Sequence, residues 1–435
     1  MSESRGRLPQ IQVALDFLEL ERACACAREA VSGGASRIEA GTPLIKSEGL
    51  DAVRRLRAEF PKLVVVADLK TMDAGRLEME AAAKAGADVA VVMGAAAEST
   101  IRECVEAGRN YGLRVALDLL GAQDPVGLAR VAEGWGVAEI HVHLPIDEQM
   151  RGGELFELLA KVREAVGVPV AAAGGLHAGN VLDAAKAGAD ILVVGGAITK
   201  SENAAEATRA ILRALEGGRV EPTHLFRRGR EQDIRSILEK VSSANLSDAL
   251  HRGGALQGIR PVAPGTRLVG RAVTVRTYPG DWAKPVEAID LAEQGDVIVV
   301  DAGGVPPAVW GELATVSAQN RGVAGLVVDG AVRDTGEIKA LGFPVFSRHV
   351  VPNAGEPKGF GEINVPVRVG GERVSPGDWL VGDDDGVIVV PHQSAVEFAN
   401  RAMDVLEREN RIRAEIRAGS TLSKVAELLR WEKAR

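Results

Sequence analysis

The segment LVVVADLKTMDAGRLEMEAAAKAGADVAVVM, residues 63–93, contains the pattern that decides the fold of the first half of this chain. A short apolar run at 63–70 is followed by an amphipathic stretch and then by a second apolar run at 88–93. This alternation is typical of a strand–helix–strand unit, in which the two strands lie parallel in one sheet.

The same alternation extends in both directions, from residue 11 to about residue 215. Eight apolar runs can be counted, at 11–17, 36–41, 63–70, 88–93, 113–119, 138–143, 168–175 and 190–196. Eight strand–helix units close a (β/α)8 TIM barrel. A repeat supports the count, because AAAKAGADVAVV at 81–92 returns as DAAKAGADILVV at 183–194, half a barrel later. A common helix-to-strand junction with glycine caps would also explain the repeat, and it predicts the same fold.

A second domain is expected after the barrel. The barrel is assigned to residues 8–216, and residues 217–230 predict a linker because they mix Gly, Pro and Arg without apolar periodicity. Residues 231–435 contain short strands separated by Pro-Gly, Gly-Asp and Gly-Gly turns, with helices expected only at 231–241, 285–293, 310–321 and the C-terminus. The pattern favours a mixed α/β sandwich with much antiparallel sheet.

Composition excludes several classes of partner. The chain of 435 residues carries a formal net charge of -8, so neither nucleic acid nor an anionic membrane is an expected partner. Its three cysteines, Cys24, Cys26 and Cys104, have no CxxC or zinc-like spacing, which indicates a reduced cytoplasmic protein. The polar N-terminus and the lack of any apolar run near 18 residues predict neither export nor a membrane span.

Polar residues follow the apolar strands where a barrel places its active site, at the carboxyl ends of the strands. Burying several carboxylates there is costly unless a metal ion or a lysine offsets their charge. His141 shares the strand face of His143, so either imidazole could be the proton-transfer group. The candidate residues are Asp16, Glu39, Asp68, Lys70, Asp73 and His143.

Glycine pairs follow the last two predicted strands. Gly174 and Gly175 come after the seventh strand, and Gly195 and Gly196 come after the eighth. Barrels often bind phosphate at this position through backbone N–H groups. The glycines therefore predict a phosphate site for a phosphorylated substrate.

Four motifs carry a family resemblance: VALD, EAGTPLIKSEG, ADLKTMDAG and DEQMRGG. With the Asp-x-Lys-x-x-Asp run at 68–73 on the third strand, residues 10–212 resemble 3-hexulose-6-phosphate synthase of the orotidine-monophosphate-decarboxylase superfamily. The resemblance implies a carbon–carbon lyase that adds formaldehyde to ribulose 5-phosphate, with Mg2+ held by Glu39 and Asp68 and by substrate oxygens. It implies that Lys70 stabilises an enediolate and that His143 transfers the proton, with Asp16 also catalytic.

The same resemblance leaves an alternative reaction open. The related 3-keto-L-gulonate-6-phosphate decarboxylases carry an arginine just before an Asp-x-Gln, and here Ile146 precedes Asp147 and Gln149, which favours the synthase. Superfamily barrels resemble dimers whose Asp-x-Lys-x-x-Asp loop completes the neighbouring site. Asp73 is therefore expected to act across a subunit boundary, in a homo-oligomer that assembles further through the second domain.

Residues 227–400 resemble the family of 4-hydroxy-4-methyl-2-oxoglutarate aldolase and the ribonuclease-activity regulators, through SANLSDAL, DAGGVPPAVWGELAT, VVDGAVRDTGE and PGDWLVGDDDGVIVVP. The resemblance implies that Arg333 clamps the carboxylate of a 2-oxo acid and that Asp334 supports Mg2+. The further candidates are Glu312, Leu313 and Glu337. Glu312 stands where the aldolase pattern has Asp, so oxaloacetate decarboxylation is expected more readily than aldol cleavage. A surface Arg333–Asp334 ion pair, and a non-catalytic regulatory or scaffolding module, remain the alternatives.

Overall fold

A computed structural model describes residues 8–153, 155–217 and 225–426 of the chain. The chain divides into two compact units, of which the second is Gly229–Leu406. The first unit ends at Arg228 and resumes at Glu407. Most of the predicted linker, residues 218–224, lies outside the described residues.

The predicted second domain, 231–435, differs from the observed unit at its C-terminal end. Residues 407–426 group with the barrel, because charged side chains of the last long helix bond to the first barrel helix. Arg411 donates two hydrogen bonds of 3.0 Å to the carboxylate of Glu29, and Glu415 accepts bonds of 2.9 and 3.1 Å from Arg22. Sequence periodicity identifies this helix but does not identify its partner.

The first unit is a closed barrel of eight parallel strands, which confirms the predicted fold class. Each predicted apolar run overlaps one strand. The strands are β1 (Gln10–Leu15), β2 (Arg37–Ala40), β3 (Val64–Thr71), β4 (Val89–Met93), β5 (Arg114–Asp118), β6 (Glu139–His143), β7 (Val170–Ala173) and β8 (Ile191–Val194).

Helices surround the barrel and cover the apolar outer faces of its strands, forming the main hydrophobic core. Gly112 and Gly136 end two of these helices in the left-handed conformation that glycine adopts without strain. The helices are α1 (Leu20–Ser32), α2 (Thr42–Glu48), α3 (Asp51–Glu59), α4 (Gly75–Lys84), α5 (Glu98–Tyr111), α6 (Pro125–Trp135), α7 (Ile146–Met150), α8 (Phe156–Ala165), α9 (Val181–Lys186), α10 (Gly196–Thr199) and α11 (Ala204–Gly217).

The inside of the barrel is partly apolar and partly charged. Two small clusters of alanine and β-branched side chains fill it, one from β1, β7 and β8 and the other from β3, β4 and β5. Between them, Gln12, Arg37 and Glu139 are almost completely buried. Charged groups are rarely buried without partners, so Arg37 and Glu139 must find their partners inside the barrel.

The second unit is built on one mixed sheet. Its strands are β9 (Arg260–Pro261), β10 (Leu268–Thr277), β11 (Val297–Asp301), β12 (Ala308–Trp310), β13 (Gly325–Val332), β14 (Val345–Val350), β15 (Gly361–Ile363), β16 (Val367–Val369), β17 (Glu372–Val374), β18 (Trp379–Asp383) and β19 (Gly386–Val390). The sheet order is β19-β18-β10-β11-β13-β14-β9, and β16 pairs with β17 separately. The mixed α/β class is confirmed, but the four central strands β10, β11, β13 and β14 are parallel, and antiparallel pairing is confined to the flanks.

The helices of the second unit exceed the predicted number. They are α12 (Ile234–Leu238), α13 (Ser243–Ala249), α14 (Ala283–Leu291), α15 (Glu312–Asn320) and α16 (Thr335–Leu341), and α17 (Ala395–Arg417) and α18 (Leu422–Val425) follow. The prediction missed α13 and α16, which have seven residues each and so show little apolar periodicity. Ser242 begins α13 with a capping box to Asn245, a local signal that was available in the sequence. None of the helices in the described part of the chain is long and apolar enough to cross a membrane.

Candidate active site at the barrel mouth

One polar cluster at the carboxyl ends of the barrel strands joins three strands. The Lys70 ammonium lies 3.1 Å from carboxylate oxygens of both Asp68 and Asp118. The same Asp118 oxygen lies 2.8 Å from Nδ1 of His143. β3, β5 and β6 therefore contribute a cation, an anion and an imidazole to one connected group.

Asp118 belongs to this cluster but was not among the residues predicted from the sequence. Its side chain is only 2% exposed, and it also accepts a hydrogen bond of 2.9 Å from the Leu120 amide. A signal was present, because VALD at 13–16 recurs at 115–118 with the same offset of 102 residues as the 81–92 repeat. Asp118 therefore lies at the carboxyl end of β5, just as Asp16 lies at the carboxyl end of β1.

The charges of this cluster are mutually stabilised. Burial opposes the charge of Asp118, but His143 and Lys70 outweigh it and hold the pKa of this carboxyl well below its usual range. Burial likewise opposes the charge of Lys70, but Asp68 and Asp118 outweigh it and raise the pKa of the ammonium. The lysine is thus held as a cation beside an ionised carboxylate.

A second group consists of acids without enough cations. Burial, followed by the charges of Asp68 and Asp16, raises the pKa of Glu39 to about 8. The surrounding protein, and then Asp68, also raise the pKa of Asp16, although the Asp16 carboxylate remains accessible from the mouth. The Oδ1 atom of Asp68 is buried without a hydrogen-bond partner. Lys70 is shared among these three carboxyls, and the positive charge near them does not offset their burial and mutual repulsion.

This donor set fits a hard divalent cation. The orphaned Asp68 oxygen and the Glu39 carboxyl are oxygen ligands of the type that Mg2+ prefers, and a cation would compensate both. No trio of His, Cys, Asp or Glu groups within 8–153, 155–217 and 225–426 forms a metal cage. Glu39 and Asp68 are therefore the two carboxyls that would fit such a cation, which would take its other ligands from water or substrate.

Glycines shape the mouth on the side of β1, β7 and β8. A Cβ atom on Gly41 would lie 2.2 Å from Oδ1 of Asp16, so only glycine lets this carboxylate lie against the β2–α2 loop. Gly174 and Gly175 have φ values of +100° and +68°, which side chains other than glycine rarely adopt. The predicted phosphate glycines thus lie at the ends of the neighbouring strands β7 and β8.

A cation near these glycines was not predicted. The Lys200 ammonium lies 3.6 Å from the point where a Cβ atom of Gly196 would be, and its charge acts on Asp16. Lys200 follows the short helix α10, at the end of the mouth assigned to phosphate. No motif points to it in the sequence.

Three further residues that the sequence analysis named lie apart from this cluster. Asp73 is exposed and accepts a hydrogen bond of 2.7 Å from the Ala74 amide of its own loop. His141 lies deeper than His143, with Nε2 at 3.6 Å from a Glu139 oxygen. Ile146 begins α7 with 54% of its surface exposed, so an apolar side chain stands where the decarboxylase pattern has arginine.

The second-unit candidates lie around the start of α15. Asp334 adopts a left-handed conformation, with φ of 56°, and accepts a hydrogen bond of 3.1 Å from the Glu312 amide. Arg333 lies 3.5 Å from Asp334, and both side chains are about half exposed. Leu313 is 81% exposed, and Glu337 is exposed in the first turn of α16. The structure thus brings together Arg333, Asp334 and the Glu312 backbone.

The barrel and its mouth define a class: a (β/α)8 barrel with carboxylates, a lysine and a histidine gathered at its strand ends. Comparison with known proteins agrees with this class. Residues 9–211 match the model of the orotidine 5'-phosphate decarboxylase / HUMPS family, and residues 243–389 match the RraA-like model, described as Aldolase/RraA. The chain belongs to the first family through its barrel and carries an RraA-like domain after it.

Each of three similar proteins matches only one of the two units of this chain. The chain is 37% identical over 206 residues to 3-hexulose-6-phosphate synthase of Mycobacterium gastri, covering 47% of this chain and 99% of that protein. It is 42% identical over 198 residues to an uncharacterized protein of Methanocaldococcus jannaschii, covering 44% and 93%. A solved structure, the RNA-processing inhibitor RraA from Thermus thermophilis, matches with 33% identity and a TM-score of 0.32, covering 34% and 92%. The expected enzyme class of the barrel, a carbon–carbon lyase, is confirmed by the named relatives.

Proposed function

We propose that the barrel catalyses the aldol addition of formaldehyde to ribulose 5-phosphate, which gives 3-hexulose 6-phosphate. The connected group of Lys70, Asp118 and His143 is the observation that carries this proposal. A synthase must remove a proton next to a carbonyl group and stabilise the enediolate that results. This group contains a base and a cation that both contact the same oxygen of the Asp118 carboxylate.

His143 is the proposed proton-transfer group. Because Nδ1 lies against the ionised Asp118, the proton of the neutral imidazole is held on Nδ1 and the lone pair is on Nε2. Nε2 removes the C1 proton of ribulose 5-phosphate, and the electron pair of that bond forms the enediolate. C1 then attacks the carbon of formaldehyde, and the new alkoxide takes the proton back from Nε2 of His143, which restores the neutral imidazole.

Lys70 and the two acids have separate roles in this scheme. The Lys70 ammonium lies where it can stabilise negative charge on the enediolate oxygens. Glu39 and Asp68 would hold a magnesium ion, which supplies electrostatic stabilisation of the same oxygens when it is bound. The amides of Gly174, Gly175, Gly195 and Gly196, with Lys200, would bind the phosphate.

Decarboxylation of 3-keto-L-gulonate 6-phosphate is the second candidate. Ile146 argues against it, because an apolar side chain cannot supply the positive charge of the arginine in the decarboxylase pattern. Both reactions pass through an enediolate, so the rest of the site serves either one.

The test uses the full-length protein and both substrates. Formaldehyde consumption that depends on ribulose 5-phosphate is expected, with little release of CO2 from 3-keto-L-gulonate 6-phosphate. EDTA should abolish the reaction and Mg2+ should restore it. Lys70→Ala should reduce kcat by at least about a hundredfold, whereas Lys84→Ala, on an exposed i,i+4 pair of α4, is the matched control. CO2 release without formaldehyde consumption would favour the decarboxylase, and full turnover in excess EDTA would remove the metal from the proposal.

For the second domain we propose 2-oxo-acid lyase activity, with oxaloacetate as the first substrate to test. Asp334 and Arg333 adjoin the exposed start of α15, so a carboxylate and a guanidinium face solvent together. Arg333 would hold the substrate carboxylate, and Asp334 would help to hold Mg2+. A regulatory or scaffolding module is the alternative. Pyruvate formation from oxaloacetate no faster than with Mg2+ alone would favour that alternative.

We also propose a homodimer in which Asp73 reaches the partner's site. Asp73 does not join the cluster around Lys70 within its own chain, and the exposed apolar side chains Met72 and Leu77 lie beside it. These side chains would be covered in a dimer.

A further inference from the structure

A series of hydrogen bonds between buried polar side chains connects Glu139 to Glu39 inside the barrel. Glu139 accepts hydrogen bonds of 3.0 and 2.6 Å from the two terminal nitrogens of Arg37. The Arg37 Nε atom donates a bond of 2.7 Å to Oε1 of Gln12. The Gln12 Nε2 atom then donates to Oε2 of Glu39. Each link is a direct side-chain contact between strands β1, β2 and β6.

The donors and acceptors of these side chains fix the direction of each hydrogen bond in the series. A guanidinium has only donors, so the Gln12 atom that faces Arg37 must be the amide oxygen. The amide nitrogen must then face Glu39. Arg37 is itself held by both oxygens of Glu139, in a bidentate pair that fixes its plane. The identity of Arg37 thus determines which end of Gln12 meets Glu39.

We propose that Gln12 and Arg37 are positioning residues for Glu39, and that they aim its carboxylate at the metal ion of the proposed active site. This inference rests on the proposed function, because it assumes that Glu39 is a metal ligand. A hydrogen bond to one oxygen restricts rotation of the carboxylate and leaves the other oxygen for the cation. Partners of this kind orient metal ligands in many proteins.

Filling of the barrel interior does not by itself explain these residues. Gln12, Arg37 and Glu139 are no more than 1% exposed, and a buried ion pair is often no more stabilising than apolar residues of similar volume. The two apolar clusters of the interior consist of alanine, valine and isoleucine side chains. The Arg37–Glu139 pair is linked through Gln12 to Glu39, a ligand of the proposed metal. Orienting the Glu39 carboxylate accounts for the presence of this buried pair.

The experiment measures Mg2+ binding by isothermal titration calorimetry on the full-length protein, without substrate. All variants carry Asp334→Asn, so that the second unit's candidate site contributes no heat. Gln12→Met keeps the side-chain length and removes the amide, and we expect it to weaken the Mg2+ Kd by about 10- to 100-fold. Arg37→Met with Glu139→Met removes the pair together and frees the Gln12 amide to turn, and we expect a Kd about tenfold weaker.

Two controls separate the possible failures. Thr208→Val removes a buried side-chain hydrogen bond in α11 and should leave the Kd unchanged. Glu39→Gln should abolish binding, and if it does not, the metal site of the proposed function is wrong and this inference fails with it. If Glu39→Gln abolishes binding while both interior variants fold and bind Mg2+ within twofold of the parent, the positioning role alone is refuted. The double variant decides the matter if Gln12→Met does not fold.

Discussion

Substitution Glu139→Gln tests the buried ion pair of the barrel through its dependence on pH. Burial opposes the charge of Glu139, but His141 and Arg37 outweigh burial and lower its pKa to about 2, from an ordinary value of 4.5. Arg37 is the stronger contact, because two of its nitrogens are within hydrogen-bond distance and His141 is 3.6 Å away. A difference of roughly 2.5 pKa units corresponds to about 3 kcal/mol of stability.

The sign of the effect follows from the lowered pKa. Stabilisation by Glu139 is fully present above the unfolded-state pKa and is lost as the pH falls from about 4.5 to about 2. Glu139→Gln should therefore lower the free energy of unfolding by about 3 kcal/mol at pH 7, and this difference from the parent should shrink as the pH approaches 3.

Urea denaturation followed by circular dichroism measures this difference, with the transitions of the two units fitted separately. The exposed pair of Glu98 with Arg102 supplies the control, since Glu98→Gln should cost less than about 0.5 kcal/mol at every pH. A cost for Glu139→Gln that stays constant from pH 7 to pH 3, or lies below about 1 kcal/mol at pH 7, would show that ionised Glu139 does not stabilise the barrel.

Four further predictions concern the two units. Arg411→Met should lower barrel stability by about 1 to 3 kcal/mol in urea, because its bonds to α1 are partly exposed, and no change would mean that the C-terminal helix contributes nothing to the barrel. Asp118→Asn should reduce synthase kcat by about 100- to 1,000-fold with a smaller change in KM, and a rate within threefold of the parent would remove Asp118 from the site. Mixed Asp73→Ala and Lys70→Ala subunits should regain some activity, and complete failure would indicate sites built within one chain. Arg333→Ala should slow oxaloacetate turnover by at least about thirtyfold without affecting the barrel reaction.

The barrel could be predicted because apolar residues recur with a different period in its strands than in its helices. Residues such as Lys70 and Glu39 could be selected because they interrupt apolar runs at strand ends. Arg37 and Glu139 escaped notice because they stand at the starts of strands, where a charge usually faces solvent. Only closure of the barrel shows that both are inside it and in contact.

The remaining differences come from contacts between distant parts of the chain. His141 and His143 share a strand face, and only their depths in the barrel separate them. The Asp118 side chain contacts Lys70 and His143 only because barrel closure brings the ends of β3, β5 and β6 together. Periodicity describes one segment at a time, so it could not assign the end of α17 to the barrel unit.

The return of the chain to the first unit at Glu407 affects the order in which the protein is made. Ribosomes release the chain from the N-terminus, and domains generally fold as they emerge. The eight barrel strands leave the ribosome first, but Arg411 and Glu415, which bond to α1, follow only after all of Gly229–Leu406. The second unit therefore emerges from the ribosome in full before the first unit is complete. Until the end of α17 emerges, the barrel lacks the helix that bonds to α1.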